Sequence, residues 1–470
     1  MAAIITTKFR IHNAQAFKEG FDEAAATNIY LGIGRPQSWS NDNAPDTPKD
    51  TVSDELYYWD DMIALKRVQT SDVALSIVRR NWTTGKYYDI YRHDYNGTTT
   101  GVNINDGGVT TPATLADANF FVITDEYHVY KCISNRNTAG TVVQSTSKPT
   151  GTTPNALIGP LADGYIWKYM FTVSPADVLK FVSTDFIPVK TLASNPGTTD
   201  AYYTQWLSQN AAIDGALDHV LVTNQGTSYA TVPTVAIAGD GTGATATATI
   251  DVGTGKVTKI TLTNRGTGYT YGTVTLTGGT SGTPATASLI ISPKGGHGKD
   301  PVEELGGFYV MMNVRLEYDD GAGDFPVDND YRRIMLVRDP FNFNTSVVAS
   351  STTLRSMRVL TVTGVSGTFV PDEVITGGSS TAKGRIVRVW SESGTNYISY
   401  VQTRAENLTG LLFTNGEGIT GATSSATATI GAIALPEVQP DSGDVMYVEN
   451  RRPINRALDQ IEDIKIIVEM

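Results

Sequence analysis

Apolar and polar positions alternate along most of this chain, and the alternation predicts strands. Ile4 and Ile5 open a strand, Asn13 caps a short helix that sets Phe17 and Phe21 on one face, and Ile29 to Ile33 form the next strand, stopping at Gly34-Arg35-Pro36. From Ser38 to Asp50 the prolines and repeated Asp and Asn predict a surface loop anchored by Trp39. Tyr57, Tyr58 and Trp59 precede alternating runs at Ala64 to Val68 and Val73 to Val78, the second closed by Arg79-Arg80-Asn81-Trp82. The arginine pair reads as a solvated strand end or as a salt bridge to a partner. Tyr87, Tyr88, Tyr91 and Tyr95 fit an interface or their own domain.

Phe120 to Ile123 and Tyr127 to Ile133 read as a hairpin. In Asp163 to Val173, Tyr165, Trp167, Tyr169 and Phe171 share one face at period two, which is core patterning. Ser174-Pro175-Ala176-Asp177 starts a helix through Leu179 and Phe181. Phe308 to Tyr318 and Arg333 to Val337 are further strands. Ser442 to Met470 reads as a strand, a turn, a short helix with Pro453 in its first turn and Ile454, Leu458 and Ile461 on one face, then a half-buried strand carrying Ile464, Ile466 and Val468.

Two stretches repeat. Asn224-Gln225-Gly226-Thr227-Ser228-Tyr229 recurs forty residues later as Asn264-Arg265-Gly266-Thr267-Gly268-Tyr269, each leading to an Ala/Thr strand that ends at Ile250 or Ile291. Phe369, Glu373, Ile375 and Gly377 recur at an offset of forty-four as Phe413, Glu417, Ile419 and Gly421. Each repeat predicts a small duplicated β domain. Alanine and threonine bury little apolar area, so the first leans on sheet hydrogen bonding.

Composition sharpens this picture. With 45 glycines and no long apolar run among 470 residues, the chain reads as several domains, mainly β with a few short helices, an α+β protein. A net charge of −12 without a basic cluster argues against nucleic-acid binding. No stretch has the length of a membrane span or a signal-peptide core, so folding in a cytosol is expected. Cys132, the single cysteine, reads as a buried core thiol. His12, His93, His128, His219 and His297 are scattered, and neither Asp60-Asp61 nor Asp319-Asp320 stands out as a catalytic pair. Gly295-Gly296-His297-Gly298 lacks the phosphate-loop spacing and reads as a hinge. The acids from Asp319 to Asp330 lack a calcium-loop spacing and read as a solvated loop. No catalytic, cofactor-binding or metal-ligating residue is assigned.

One stretch carries more. Ser442, Gly443, Asp444, Met446, Tyr447, Glu449, Asn450, Arg451, Pro453, Ile454, Asp459, Gln460, Glu462 and Ile464 together resemble the C-terminal signature of the baseplate wedge subunit (protein eight) family of T-even-like contractile-tailed bacteriophages. Ile5 to Arg10, Val129-Tyr130-Lys131-Cys132 and Asp163 to Phe171 agree in the same order, as do Gly34-Arg35, Pro45, Pro48 and Arg79 to Trp82. The resemblance covers about the first 200 residues and the last 35, with weaker similarity from Phe308 to Pro340. It implies a non-enzymatic structural protein of the virion, a homodimer in each wedge of the tail baseplate that contacts other wedge proteins or tail fibre proteins, assembled in the host cytoplasm.

The resulting layout is a discontinuous core domain from residues 1–209, 296–360 and 436–470, interrupted by inserted β domains at 210–295 and 361–435. The family member behind the resemblance lacks those insertions. In the closing stretch, Glu449, Arg451 and Arg452 read as corner-fixing residues. A glycan-binding tail adhesin is the alternative, resting on polar loops and on Tyr229, Tyr269 and Tyr271 of the first insertion. A tail-associated depolymerase would need a carboxylate pair in a cleft.

Overall fold

The computed structural model describes residues 3–23, 27–34, 37–99, 101–102, 109–154, 156–317, 329–457 and 460–470. Strands make up 42% and helices 11%, so the chain is mainly β. It divides into two compact units. The first comprises Met1–Phe17, Ala74–Met311 and Ile467–Met470; the second comprises Lys18–Val73 and Met312–Ile466.

The first unit holds an antiparallel sheet in the order Phe121–Ile123, His128–Ser134, Ile166–Thr172, Leu157–Ile158. The predicted hairpin is there, and Tyr165, Trp167, Tyr169 and Phe171 are all at most 2% exposed, so the aromatic stripe is core. Tyr165 stacks on Trp167 at 5.4 Å and Tyr88 meets Trp167 edge-on at 5.6 Å. Tyr88 and Tyr91 are buried against their own unit. Cys132 lies in this sheet with no exposure, and burial pushes its thiol well above the ordinary range. Arg79 donates to the Ser183 carbonyl, and Arg80 donates to the carbonyls of Ala116 and Ala118 with its guanidinium over Phe121. The pair is therefore an internal fastening rather than a solvated strand end.

Ser174 caps Pro175–Phe181 as expected, accepting from Asp177 N at 3.1 Å. The chain's start departs from expectation. Ile4 and Ile5 lie in no strand and are 81% and 70% exposed, and the helix runs over Thr7–Glu19 instead of beginning after Asn13. Thr6 explains it: its Oγ1 accepts from Phe9 N and its carbonyl from Arg10 N, both at 3.2 Å, so an earlier hydroxyl takes the cap. Residue 470 is tied down, with Met470 N donating to the Phe308 carbonyl and Arg10 Nε to the Met470 carbonyl at 2.6 Å.

The first repeated stretch also belongs to this unit. Its strands form one sheet in the order Thr242–Asp251, Lys256–Thr267, Leu217–Asn224, Thr286–Ile291, and a ribbon of Thr234–Gly239 with Gly272–Thr277. The copies exchange strands. The Ala/Thr strand of copy one pairs with the first strand of copy two, and that of copy two pairs with the first strand of copy one. Gly226 and Gly266 take φ of +65° and +63°, where a side chain would strike the other copy's backbone.

The second unit is built on a five-stranded sheet in the order Thr353–Arg355, Met62–Arg67, Ile29–Gly34, Asn329–Arg338, Asp444–Arg456. Residues more than 400 apart in sequence thereby share one hydrogen-bonded layer. Tyr30, Trp59, Met62, Leu65, Met335 and Val337 fill its core. Val52–Asp60 forms a helix that alternation did not reveal, capped by Thr51 through Asp54 N at 3.1 Å.

The predicted helix after Pro453 is not formed. Asp444–Arg456 is one strand, its pairing shifting between Tyr331 and Arg333 so that Arg451, Arg452 and Pro453 bulge out. A bulge needs no ladder N–H there, which lets proline sit inside a strand. Leu458 and Asp459 lie outside the described residues, as do Arg35, Pro36, Asp319, Asp320, Asp324 and Asp328. Glu462–Glu469 is the predicted closing strand, with Ile464 and Ile466 buried.

The second repeated stretch, also in this unit, closes into a barrel in the order Arg358–Ser366, Thr395–Val401, Lys383–Glu392, Val374–Gly377, Gly418–Gly421, Thr427–Ala434. Leu360, Phe369, Ile375, Ile386, Phe413, Ile419 and Ile430 fill it. The two short strands pair across the repeat, Ile375 with Gly421 and Gly377 with Ile419. Closure leaves no open edge.

Candidate functional site

The residues that carry the terminal signature converge in the second unit as a strap. The 38–50 loop lies on the Asp444–Arg456 strand: Trp39 Nε1 donates to the Arg451 carbonyl at 2.9 Å, Asn450 Nδ2 to the Asp46 carbonyl at 2.8 Å, and Arg452 to the Asn43 carbonyl at 3.2 Å. Trp39 is thus the anchor its loop predicted. Beneath the strap, Arg333 Nη1 meets both oxygens of Asp61 at 2.8 and 3.0 Å, its Nε donates to Asn450 Oδ1 at 2.9 Å, and it lies over the Tyr58 ring. Burial pushes Asp61 up to about 6 despite Arg333.

Further described residues of the closing stretch are also structurally employed. Ser442 Oγ accepts from Phe341 N at 2.9 Å and donates to the Gln439 carbonyl at 2.6 Å. Gly443 has φ of +71° where its backbone abuts Arg338 and Asp339. Glu449 pairs with Arg451 at 2.9 Å, and Arg456, 2% exposed, pairs with Glu462 at 3.1 Å. Tyr331 adds a hydroxyl to Glu462 at 3.3 Å. Such a set can hold a shape.

A second polar cluster sits in the first unit where the Gly295-Gly296-His297-Gly298 segment turns. Lys131 and Glu304 form a fully buried ion pair. Glu304 also accepts from Gly298 N at 2.8 and 3.0 Å and from Asp300 N at 3.1 Å, so an internal carboxylate takes the amide that a phosphate loop would offer. His297 packs its ring edge-on to Tyr91 at 4.7 Å and sets Nε2 3.2 Å from Asp218, which pairs with Arg265. Burial, with Lys131, Arg265 and Lys168 adding to it, holds His297 well below its ordinary value. The cluster fixes the point where the first repeated stretch rejoins the sheet, and removing one charge would strand the other.

Elsewhere the candidates stay apart. Asp60 is bound by Arg404 N and Nη1, both at 2.6 Å, while its neighbour Asp61 faces Arg333, so the pair serves two separate ion pairs. Among the described residues no group of three His, Cys, Asp or Glu is placed to hold a metal. Tyr229 and Tyr269 are 2% and 4% exposed and their hydroxyls accept from Ala285 N at 2.8 Å and Ala244 N at 3.4 Å, which leaves Tyr271, 66% exposed, as the open tyrosine of the three.

Sequence reasoning singled out Glu373 and Glu417 as repeat positions without giving them a task. Each binds the other copy's turn. Glu373 accepts from Thr423 N at 3.1 Å and Ser424 N at 2.9 Å, and Glu417 from Ser379 N at 3.1 Å and Ser380 N at 2.9 Å. The constant offset was the signal that held this. The Asp61–Arg333 pair carried no such signal.

Comparison with known proteins bears on the same segments. Residues 3–214 and 414–470 match the family described as Bacteriophage T4, Gp8. The baseplate wedge protein gp8 of Enterobacteria phage T4 is 26% identical over 213 residues, which is 40% of this chain. The aligned part spans 60% of that relative's length.

Proposed function

Because the chain belongs to the phage Gp8 family, we propose that it is a structural, non-enzymatic subunit of a contractile tail baseplate wedge that holds neighbouring wedge proteins together. The carrying observation is that the family match falls on both ends of the chain, and that a strand from each end meets the Asn329–Arg338 strand in one sheet. A sheet closed by both chain ends suits a part that must keep its shape while neighbours move. The reading extends to a homodimer, and to a discontinuous core from which residues 210–295 and 361–435 project as inserted domains toward wedge or fibre partners. Exposed apolar positions fit such contacts: Ile4, Ile5 and Phe9 in the first unit, and Leu408, Leu411 and Leu412 beside the barrel.

Affinity-tagged copies carried by infectious particles should be labelled at the baseplate in electron micrographs, and the purified chain should scatter light as a dimer at micromolar concentration. Label on the tube or head, or none on purified tails, would refute the baseplate reading. A monomer without self-contact in assembled tails would refute the dimer alone.

A further inference from the structure

The seam between the first repeated stretch and the aromatic sheet holds a partly open cavity of about 50 Å³. The sheet side supplies Arg136 and Ile166, and the repeat supplies His219, Val220, Val222 and Lys259. All belong to the first unit. Gln225 Nε2 donates to the Ala139 carbonyl at 2.7 Å beside it, so the two walls are held in register.

The charge in this cavity is one-sided. Arg136 donates from Nη1 to the Gly140 carbonyl at 2.5 Å, but its buried Nε has no partner among the described residues, and neither has the buried Nε2 of His219. Among the described residues no carboxylate lines the cavity. The nearby Arg92 is occupied with Asp94, both of whose oxygens it binds at 2.8 Å. Burial pushes His219 down to about 4, with Arg136, Lys259 and Arg92 pushing the same way. Its ring is therefore neutral at pH 7 and can donate one N–H. In a chain of net charge −12, a cationic hollow without a carboxylate is conspicuous.

Water would satisfy the N–H groups and leave the charge uncompensated, at a cost that low-dielectric walls of Val220, Val222 and Ile166 increase. A water position needs roughly 10–15 Å³ by this measure, so a single small ion with a water or two fits and a large organic anion does not. We propose that the cavity is a binding site for a small inorganic anion of chloride size, held between Arg136 and His219, which locks the repeated stretch to the sheet.

Bromide serves as the probe. Crystals of the full chain soaked in sodium bromide should show an anomalous peak between Arg136 and His219; ordered water alone at that place would overturn the proposal. In solution, thermal unfolding in sodium chloride should have a midpoint about 2–4 °C above that in sodium gluconate at equal ionic strength. The difference should vanish in Arg136→Gln and shrink in Lys259→Gln. Should Arg136→Gln fail to fold, the salt comparison on the unmodified chain still decides. A bromide peak without any midpoint difference means occupancy at crystal concentration only, and counts against a built site.

Discussion

The two repeated stretches solve the same problem with different chemistry. In each, one copy is completed by the other. In 210–295 the copies exchange Ala/Thr strands, and each loop plugs the other copy with a tyrosine hydroxyl, Tyr229 on Ala285 and Tyr269 on Ala244. In 361–435 the copies share a closed barrel, and each glutamate binds the other's Ser/Thr turn. The first keeps a half-buried ribbon, with Val235, Ile237, Val274 and Leu276 only partly covered, and Thr242–Asp251 at a sheet edge. The barrel has an apolar centre and no edge. Duplication alone thus does not set architecture; what the copies trade does.

That contrast can be broken in order of expected effect. Glu417→Ala leaves the amides of Thr414, Ser379 and Ser380 without their acceptor and should cost about 3–4 kcal/mol by chemical unfolding. Glu373→Ala should match it within about 1 kcal/mol if the barrel is symmetric in energy as it is in contacts. A clearly unequal pair would show that one copy carries the fold. In the first stretch, Gly226→Ala and Gly266→Ala should each cost about 2–3 kcal/mol, since a methyl there meets backbone at a positive φ.

Tyr229→Phe should cost about 1–2 kcal/mol and Tyr269→Phe less than about 1, following hydroxyl contacts of 2.8 and 3.4 Å. Equal costs would mean that the longer contact tightens in solution. Smallest is the acid response. Burial raises the carboxyls of Glu373 and Glu417, but the amides and hydroxyls around them prevail and hold both below the ordinary glutamate value of 4.5. A depressed folded value gives stability that is present above the unfolded value of about 4.5 and is lost as pH falls from there through the lower folded value. Melting of the unmodified chain should therefore weaken on acidification below that point, and a Glu373→Gln, Glu417→Gln double variant should flatten the slope.

Strands were legible because alternation reports a buried face directly: Ile29 to Ile33, the Tyr165 to Phe171 stripe and the Ile464 to Val468 closure all stand where the pattern put them. Local signals with two readings misled. Pro453 suits a helix start, and only the facing strand at Tyr331 to Arg333 makes it a bulge. Asn13 is a good cap, yet Thr6 comes first. The helix at Val52–Asp60 had its own signal in Thr51 and Asp54, outweighed by the aromatic run that follows. The strap was half legible. Trp39 was marked by its loop, but its acceptor lies 412 residues away, and Arg333 and Asp61 are 272 apart, separations that no local pattern encodes.

That same separation sets a clock. The strand at Ile29–Gly34 hydrogen-bonds to Asn329–Arg338, which in turn needs Asp444–Arg456. Met62–Arg67 covers one edge of that strand early, but a ribosome adding about 5–20 residues per second would leave its other edge waiting roughly 15–60 seconds for Asn329–Arg338. The second unit's sheet is therefore complete only once residues 444–456 have been made, and a chain cut short before residue 444 would lack its outer strand however well its earlier parts had folded.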